Sequence, residues 1–192
     1  MANAATTANP VISATGGDTN IGITLTPKGT GGVTTANCLA VGGATPSTSG
    51  AGITFPATQS ASTDANTLDD YEEGTWTPSI GGTATYNTQQ GSYTKIGRQV
   101  FVSAFLSVNL IGTGSATVVS GLPFTAAANN QGGMHFRYFN QIASNVVYLA
   151  GDDFGGATNF TIYSITAAGS AVGVNAILKN SAQISFWGVY NI

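Results

Sequence analysis

The stretch that decides the fold is Val100–Asn109, which reads Val-Phe-Val-Ser-Ala-Phe-Leu-Ser-Val-Asn. Every second residue from Val100 to Val108 is apolar, and the residues between them are Phe or Ser. A period of two belongs to a β-strand, because successive side chains of a strand point to opposite faces of the sheet. Since Phe101 and Phe105 make the second face partly apolar as well, the pattern predicts a strand that is buried on both sides.

The same period recurs further along the chain, in residues 134–139, 146–150, 160–165 and 184–191. Glycine-rich turn signals separate these runs at intervals near the roughly 8–12 residues that are typical of β-sandwiches. No window sustains a capped helical pattern. Residues 76–192 are therefore predicted to form an all-β, C-terminal domain, an antiparallel jelly-roll-like β-sandwich of about eight to ten short strands.

Residues 1–60 differ in composition, with Asp18 and Lys28 as their only charges and Phe55 as their only aromatic residue. Short β-branched runs alternate with glycine-rich breaks, and the apolar content is too small for a private core. The Thr and Ile alternation favours a thin N-terminal β stalk that is ordered by winding against other copies of the chain. The side chains predicted to form its shared core are Ile21, Ile23, Leu25, Val33 and Leu39.

Residues 61–75 are predicted to be a linker followed by an acidic collar, formed by Asp69, Asp70, Glu72 and Glu73. Four carboxylates offer the oxygen ligands that a divalent cation prefers, but their spacing matches no calcium loop. We therefore expect exposed acidic residues and no metal site.

Composition limits the classes of function. Charged residues make up 7% of the chain, against about 25% in an average domain, which favours a homo-oligomer whose copies cover one another. The five basic residues are scattered, so no nucleic-acid partner is expected. Cys38 is the single cysteine, which excludes an intrachain disulfide. Neither a signal peptide nor an apolar run of about 18 residues is present, so we expect no membrane insertion.

One block of sequence resembles a known family. Leu68–Pro78, LDDYEEGTWTP, closely resembles a segment that recurs in bacteriophage tail fibre and related virion proteins. Asn20–Val33 is similar to shaft segments of such proteins. Three further segments also resemble the family, and these are Gln90–Val100 (QGSYTKIGRQV), Gly121–Phe124 and Phe186–Tyr190. The resemblance implies a homotrimer localised on the virion, with the C-terminal domain outward and the N-terminal region bound to other virion proteins of the capsid or tail. Because the chain is short, a tail fibre, a head fibre and a capsid decoration all remain open.

Candidate sites are few. Asp152 and Asp153 lie on a glycine-rich turn, which fits either a solvated loop or a site where they accept hydrogen bonds from a bacterial surface glycan beside Tyr148 or Phe154. A glycosidase needs two carboxyl groups across the scissile bond, and adjacent acids on a turn point apart.

His135 is the single histidine, and the sequence contains no serine elbow motif with which it could form a catalytic triad. Trp76 and Trp187 fit either a sugar-stacking platform or a sandwich core.

The sequence thus predicts a non-enzymatic virion structural protein with no catalytic residues and no cofactor. A host-glycan-binding module of the tail is the alternative function, and a glycan depolymerase is a further one.

Overall fold

The computed structural model describes residues 12–46, 49–59, 62–129, 132–143, 145–152 and 154–192. Within these ranges the chain forms strands, turns and bends and no helix, so no helix is long and apolar enough to span a membrane. The strands are β1 (Cys38–Ala40), β2 (Gly52–Thr54), β3 (Tyr71–Trp76), β4 (Thr85–Ile96), β5 (Gln99–Leu110), β6 (Val118–Ser120), β7 (Gly133–Asn140), β8 (Tyr148–Asp152), β9 (Asn159–Ile165) and β10 (Gln183–Asn191).

The chain divides into two compact units. The first comprises the residues up to Val41 together with Thr45–Thr54. Its regular structure is the parallel pair of β1 and β2, and the Val41 N–H extends this pair by donating to the Thr54 carbonyl over 3.0 Å. No described residue of this unit is buried.

The second unit comprises Gly42–Ala44 and Phe55–Ile192 and holds one antiparallel sheet of eight strands, in the order β3-β4-β5-β10-β7-β8-β9-β6. An isolated bridge between Ser79 and Ser120 connects the two edges, so the sheet curls around its own core. The all-β, antiparallel prediction is confirmed. β10 pairs with both β5 and β7 and joins the strands into one continuous, curled sheet, which is consistent with the predicted β-sandwich.

The core lies on the concave face of this sheet. The even-numbered residues of β5, from Val100 to Val108, are buried as predicted. The opposite face of β5 is buried at Ser107 but exposed at Phe101, which corrects the expectation of burial along both faces. The larger fully buried side chains from the other strands and loops are Tyr190, Phe154, Phe160, Phe186, Met134, Leu149, Ile162, Ile177 and Ile184.

Two glycines let aromatic rings lie close to the backbone where β3 meets β4. Trp76 pairs with Gly91, and Gly74 pairs with Tyr93. A Cβ atom on Gly91 would lie 2.4 Å from the Trp76 Nε1 atom, and one on Gly74 would lie 2.6 Å from the Tyr93 hydroxyl. Each ring therefore covers the glycine opposite it, as when an aromatic side chain supports a glycine in a neighbouring strand.

Candidate functional site

The acidic residues at the start of the sheet have separate partners. Asp70 is buried and forms an ion pair with Lys95, whose ammonium also lies 5.0 Å from the centre of the Phe124 ring. The Ser62 N–H donates to Asp69 over 2.7 Å. The expected exposed collar is thus wrong for Asp70, because its carboxylate is buried against an opposite charge. No cluster of three metal-ligating side chains occurs among the described residues.

Glu72 and Glu73 both lie in β3, inside the segment predicted to be linker and collar. Glu72 accepts a hydrogen bond from the Tyr93 hydroxyl, and Glu73 accepts one from the Tyr71 hydroxyl. Because each tyrosine must keep its proton to donate, these bonds raise the pKa of Tyr71 and raise that of Tyr93 to about 12. Glu72 therefore helps to attach β3 to β4, whereas the bond between Tyr71 and Glu73 lies within β3.

The predicted glycan-contact residues do not all reach the surface. Tyr148, which is 47% exposed, and Asp152 lie at the two ends of β8 on its outward face, about 13 Å apart by strand geometry. Phe154 is 2% exposed and stacks on Tyr190 with ring centres 5.6 Å apart. A ligand cannot touch a ring in that position, so the assignment of Phe154 to a glycan site is corrected to the core. Asp153 lies outside the described residues.

The predicted stalk residues belong to the first unit. Ile21, Ile23, Leu25, Val33 and Leu39 are between 41% and 63% exposed in the single chain. A set of exposed branched apolar side chains is what a segment that packs against other copies would present, and the shared core stays a prediction.

The two tryptophans take different roles. Trp76 is buried in the core, where its indole N–H donates to the Ser103 carbonyl over 3.3 Å. Trp187 is 52% exposed on the convex face of β10, and His135 stacks on it with ring centres 4.9 Å apart and an interplanar angle of 25°. His135 thus serves as a stacking partner in this structure.

Trp187 lines a cleft of about 390 Å³ on the convex face of the sheet, over β4, β5, β10 and β7. Directly paired residues on neighbouring strands form rows across the sheet, and one row consists of Ser92, Ser103, Trp187 and His135. The next row runs from Gln90 through Phe105 to Ser185. Since alternate residues of a strand share a face, these side chains point to the same side of the sheet. All of them except His135 line the cleft, which therefore combines polar side chains with the rings of Trp187 and Phe105.

A β-bulge brings Arg137 into the cleft. Ser185 pairs with Tyr138 and Phe186 pairs with Phe136, so Arg137 is the extra residue of β7 between these two pairs. Its Nε atom donates to the Ser185 Oγ over 2.8 Å, and the Ser185 hydroxyl donates to the Ala104 carbonyl over 3.2 Å. The guanidinium is thus held at one corner while its Nη atoms remain available for a ligand.

The sequence analysis assigned no binding role to Gln90, Ser92, Ser103 or Arg137. No local signal marks them, because the cleft depends on the register of four strands and on the bulge. Alternation predicted the outward face for Ser103 and Trp187, but it did not indicate which strands would be neighbours.

Comparison with known proteins identifies one similar fold. No protein-family model matches the chain significantly, and neither does any curated protein sequence. The crystal structure of the Dettilon tailspike protein is similar to this chain, with a TM-score of 0.50 and 17% sequence identity. The similarity covers 63% of this chain and 24% of the tailspike. At this identity it shows a shared fold, and the matched region is a minor part of the tailspike.

Proposed function

We propose that this chain is a non-enzymatic structural protein on the surface of a bacteriophage particle, where it forms a homotrimeric fibre through its N-terminal unit. The proposal rests on the solvent exposure of that unit. None of its described residues is buried, and its exposed apolar side chains include Ile21, Ile23, Leu25, Val33 and Leu39. The resemblance of LDDYEEGTWTP to virion proteins and the fold shared with a tailspike support the placement on a phage.

Packing of three copies would remove the exposed apolar side chains from water. Full burial of one Val, Leu or Ile side chain stabilises by about 1.5–3 kcal/mol, and the trimer repeats each contribution three times. Such contacts offset the entropy lost when a thin segment becomes ordered. Because a wound chain cannot leave without its partners, the assembly also unfolds slowly, which suits a particle that is exposed to the environment.

The proposal of a non-enzymatic role rests on how three of the described carboxylates are used. Asp70 neutralises Lys95, and Glu72 and Glu73 accept hydrogen bonds from tyrosines. Asp70 and Glu72 thus bind side chains of β4, and Glu73 bonds within β3. Release of reducing ends from host polysaccharide by the purified protein would replace this proposal with the depolymerase alternative.

The mass in solution tests the assembly. We expect three times the 19.3 kDa of one chain for the unmodified protein, measured by light scattering. The double variant Ile23→Asp/Leu25→Asp should dissociate, because it would place six charges in the shared core. Thr24→Asp adds a charge to the same exposed segment and should leave the trimer intact, because Thr24 alternates with the two predicted core positions. A monomeric unmodified protein would contradict the proposal.

A tail fibre and a head fibre or capsid decoration are the two placements that this architecture fits. The N-terminal unit would attach to the tail in one case and to the capsid in the other. Electron microscopy of intact particles with an antibody against the C-terminal unit distinguishes them, since the label then lies at the tail or around the head. A label on neither would contradict the placement on the virion.

Binding to a host-surface glycan is a second candidate function, and the exposed cleft beside Trp187 favours it. The cleft combines an indole with hydroxyl, amide and guanidinium groups, which are the groups that proteins use for polar ligands with apolar faces. Tyr148 and Asp152 remain proposed contacts on the same convex surface of the sheet. Binding of the purified trimer to host cells, lost after removal of their surface polysaccharide, is the expected result.

A further inference from the structure

We infer that the convex cleft is a binding site for a sugar that carries a carboxylate, with Arg137 as the anion-binding residue and Trp187 as the stacking residue. This inference rests on the second candidate function above and names the ligand class. It concerns a different place from the β8 residues that the sequence suggested.

The charge of the cleft favours an anion. Among the described residues that line it, Arg137 is the charged one and none is a carboxylate. This is notable in a chain with eight acidic and five basic residues. The guanidinium has five N–H donors, of which the structure commits the one on Nε to Ser185. The two Nη atoms can therefore form the paired, charge-assisted hydrogen bonds that arginine makes with a carboxylate.

The β-bulge and Ser185 preorganise the Arg137 side chain for binding. A guanidinium on a regular exposed strand would lose much rotamer entropy when it bound a ligand. Here the bond from Nε to Ser185, and the bond from Ser185 to the Ala104 carbonyl, fix the side chain before a ligand arrives. Preorganisation of this kind reduces the cost of binding.

The remaining lining favours a sugar. The indole of Trp187 is half exposed, and because His135 covers one of its faces, the other face can pack against the C–H groups of a pyranose ring. The hydroxyls of Ser92 and Ser103, which lie 2.9 Å apart, and the amide of Gln90 can exchange hydrogen bonds with ring hydroxyls.

Other anionic ligands fit less well. Recognition of a peptide terminus commonly uses a cluster of free backbone N–H groups, whereas the cleft lies across paired strands whose backbone groups bond to one another. A dianionic phosphate is usually held by several cations or by a helix N-terminus, whereas Arg137 is the one cation among the described residues of the lining. A monoanionic uronic acid matches one guanidinium beside an indole.

The test is a titration of the full-length protein labelled with 5-fluorotryptophan, followed by ¹⁹F NMR. Methyl glucuronide should shift the Trp187 resonance with saturation, while the resonance of the buried Trp76 moves much less. Methyl glucoside, which has the same ring without the carboxylate, should bind at least tenfold more weakly. Inorganic phosphate and acetyl-alanine test the other anion classes. Equal binding of glucuronide and glucoside, no binding of either, or tighter binding of phosphate or acetyl-alanine would overturn the inference.

The matched variants are Arg137→Gln and Arg98→Gln. The first should weaken glucuronide binding at least tenfold and leave the affinity for glucoside unchanged. The second removes the arginine of the β4–β5 turn, which does not line the cleft, and should leave both affinities unchanged. Equal effects of the two variants, or dissociation of the trimer by Arg137→Gln with no specific effect on binding, would contradict a ligand site. The solution mass and the particle labelling are separate readouts, so failure of this inference is distinguishable from failure of the proposed trimeric virion protein.

Discussion

Ser79 and Ser120 form an isolated antiparallel bridge that connects the two edges of the eight-stranded sheet. The Ser79 N–H donates to the Ser120 carbonyl over 3.0 Å, and the Ser120 N–H donates to the Ser79 carbonyl over 2.7 Å. Tyr86 supports the junction, because its hydroxyl accepts a bond from the Ile80 N–H over 2.9 Å and lies 3.0 Å from the Ser79 Oγ. Since open edges expose unpaired backbone groups, this bridge closes the sheet at one point.

Ser120→Pro should open this junction. Proline removes both the N–H and the hydroxyl that Ser120 donates to the Ser79 carbonyl, so we expect a loss of about 2 kcal/mol in the free energy of unfolding. Ser120→Ala keeps the backbone bonds and removes the hydroxyl bond to the Ser79 carbonyl, which should cost less than about 1 kcal/mol. Denaturant titration measures both. Hydrogen exchange at the Ser79 amide should accelerate in the proline variant, and equal behaviour of the two variants would contradict the role of the bridge.

Gly91→Ala should destabilise the sheet because Trp76 occupies the space that a Cβ atom needs. Overpacking of this kind costs about 1–3 kcal/mol, and we expect a loss in that range by denaturant titration. Ser92→Ala, at the neighbouring outward position, is the control and should change stability by less than about 1 kcal/mol.

A double-mutant cycle separates the ring from other causes. If Trp76 is the obstacle, Gly91→Ala should cost less in a Trp76→Phe background than in the unmodified protein, with a coupling energy of about 0.5 kcal/mol or more. Strict additivity of the two substitutions would show that the glycine is needed for another reason.

The sequence was sufficient to predict the strand type and one face of the core. Alternation in Val100–Val108 identified the buried side of β5, because a period of two is a local property of the backbone. It was misleading in β7, where the pattern grouped Tyr138 with Met134 and Phe136. The bulge opposite Ser185 shifts the phase by one residue, so Tyr138 is exposed and Phe139 packs against the core instead.

Local sequence patterns could not predict which distant segments would pair or pack together. The pairing of β10 with both β5 and β7 determines a single sheet, and it joins segments that are far apart in the chain. The burial of Phe154 also depends on a distant residue, Tyr190, against which it stacks. For the same reason the cleft around Arg137 could not be anticipated, since its residues come from four strands that only the folded register brings together.

Removal of one partner of the buried Lys95–Asp70 pair should be costly. Either Lys95→Met or Asp70→Asn leaves a buried charge or polar group without its partner, and we expect a loss of about 3–5 kcal/mol for Lys95→Met and somewhat less for Asp70→Asn. Lys95→Met also removes the contact with the Phe124 ring. The measurement is the denaturation midpoint at neutral pH.

The double variant Asp70→Leu/Lys95→Met is the informative control. Because it removes both charges and their desolvation cost, its stability should lie within about 2 kcal/mol of the unmodified protein, and above that of Lys95→Met alone. A double variant no more stable than Lys95→Met alone would indicate that the pair does not interact in the folded protein.

Tyr190 should make stability fall between pH 10 and pH 12. Its hydroxyl is buried, accepts a bond from the Phe124 N–H and donates to the Phe124 carbonyl, both over 3.1 Å. Burial, which penalises the phenolate, raises the pKa of Tyr190 to about 12, from 10.0 in the unfolded chain. The folded state therefore holds the proton more tightly. The resulting contribution is fully present below pH 10 and is lost as the pH rises through 12.

Tyr190→Phe isolates this titration. It should cost about 1–2 kcal/mol at pH 8, since both bonds to Phe124 are lost, while its stability should fall less steeply than that of the unmodified protein from pH 10 to pH 12. Part of the decline should persist in the variant, because the bond to Glu72 also raises the pKa of Tyr93 to about 12. Denaturant titrations at pH 8, 10 and 11.5 measure the difference. Parallel curves for the two proteins would show that the Tyr190 hydroxyl titrates alike in the folded and unfolded chain, in conflict with its burial against Phe124.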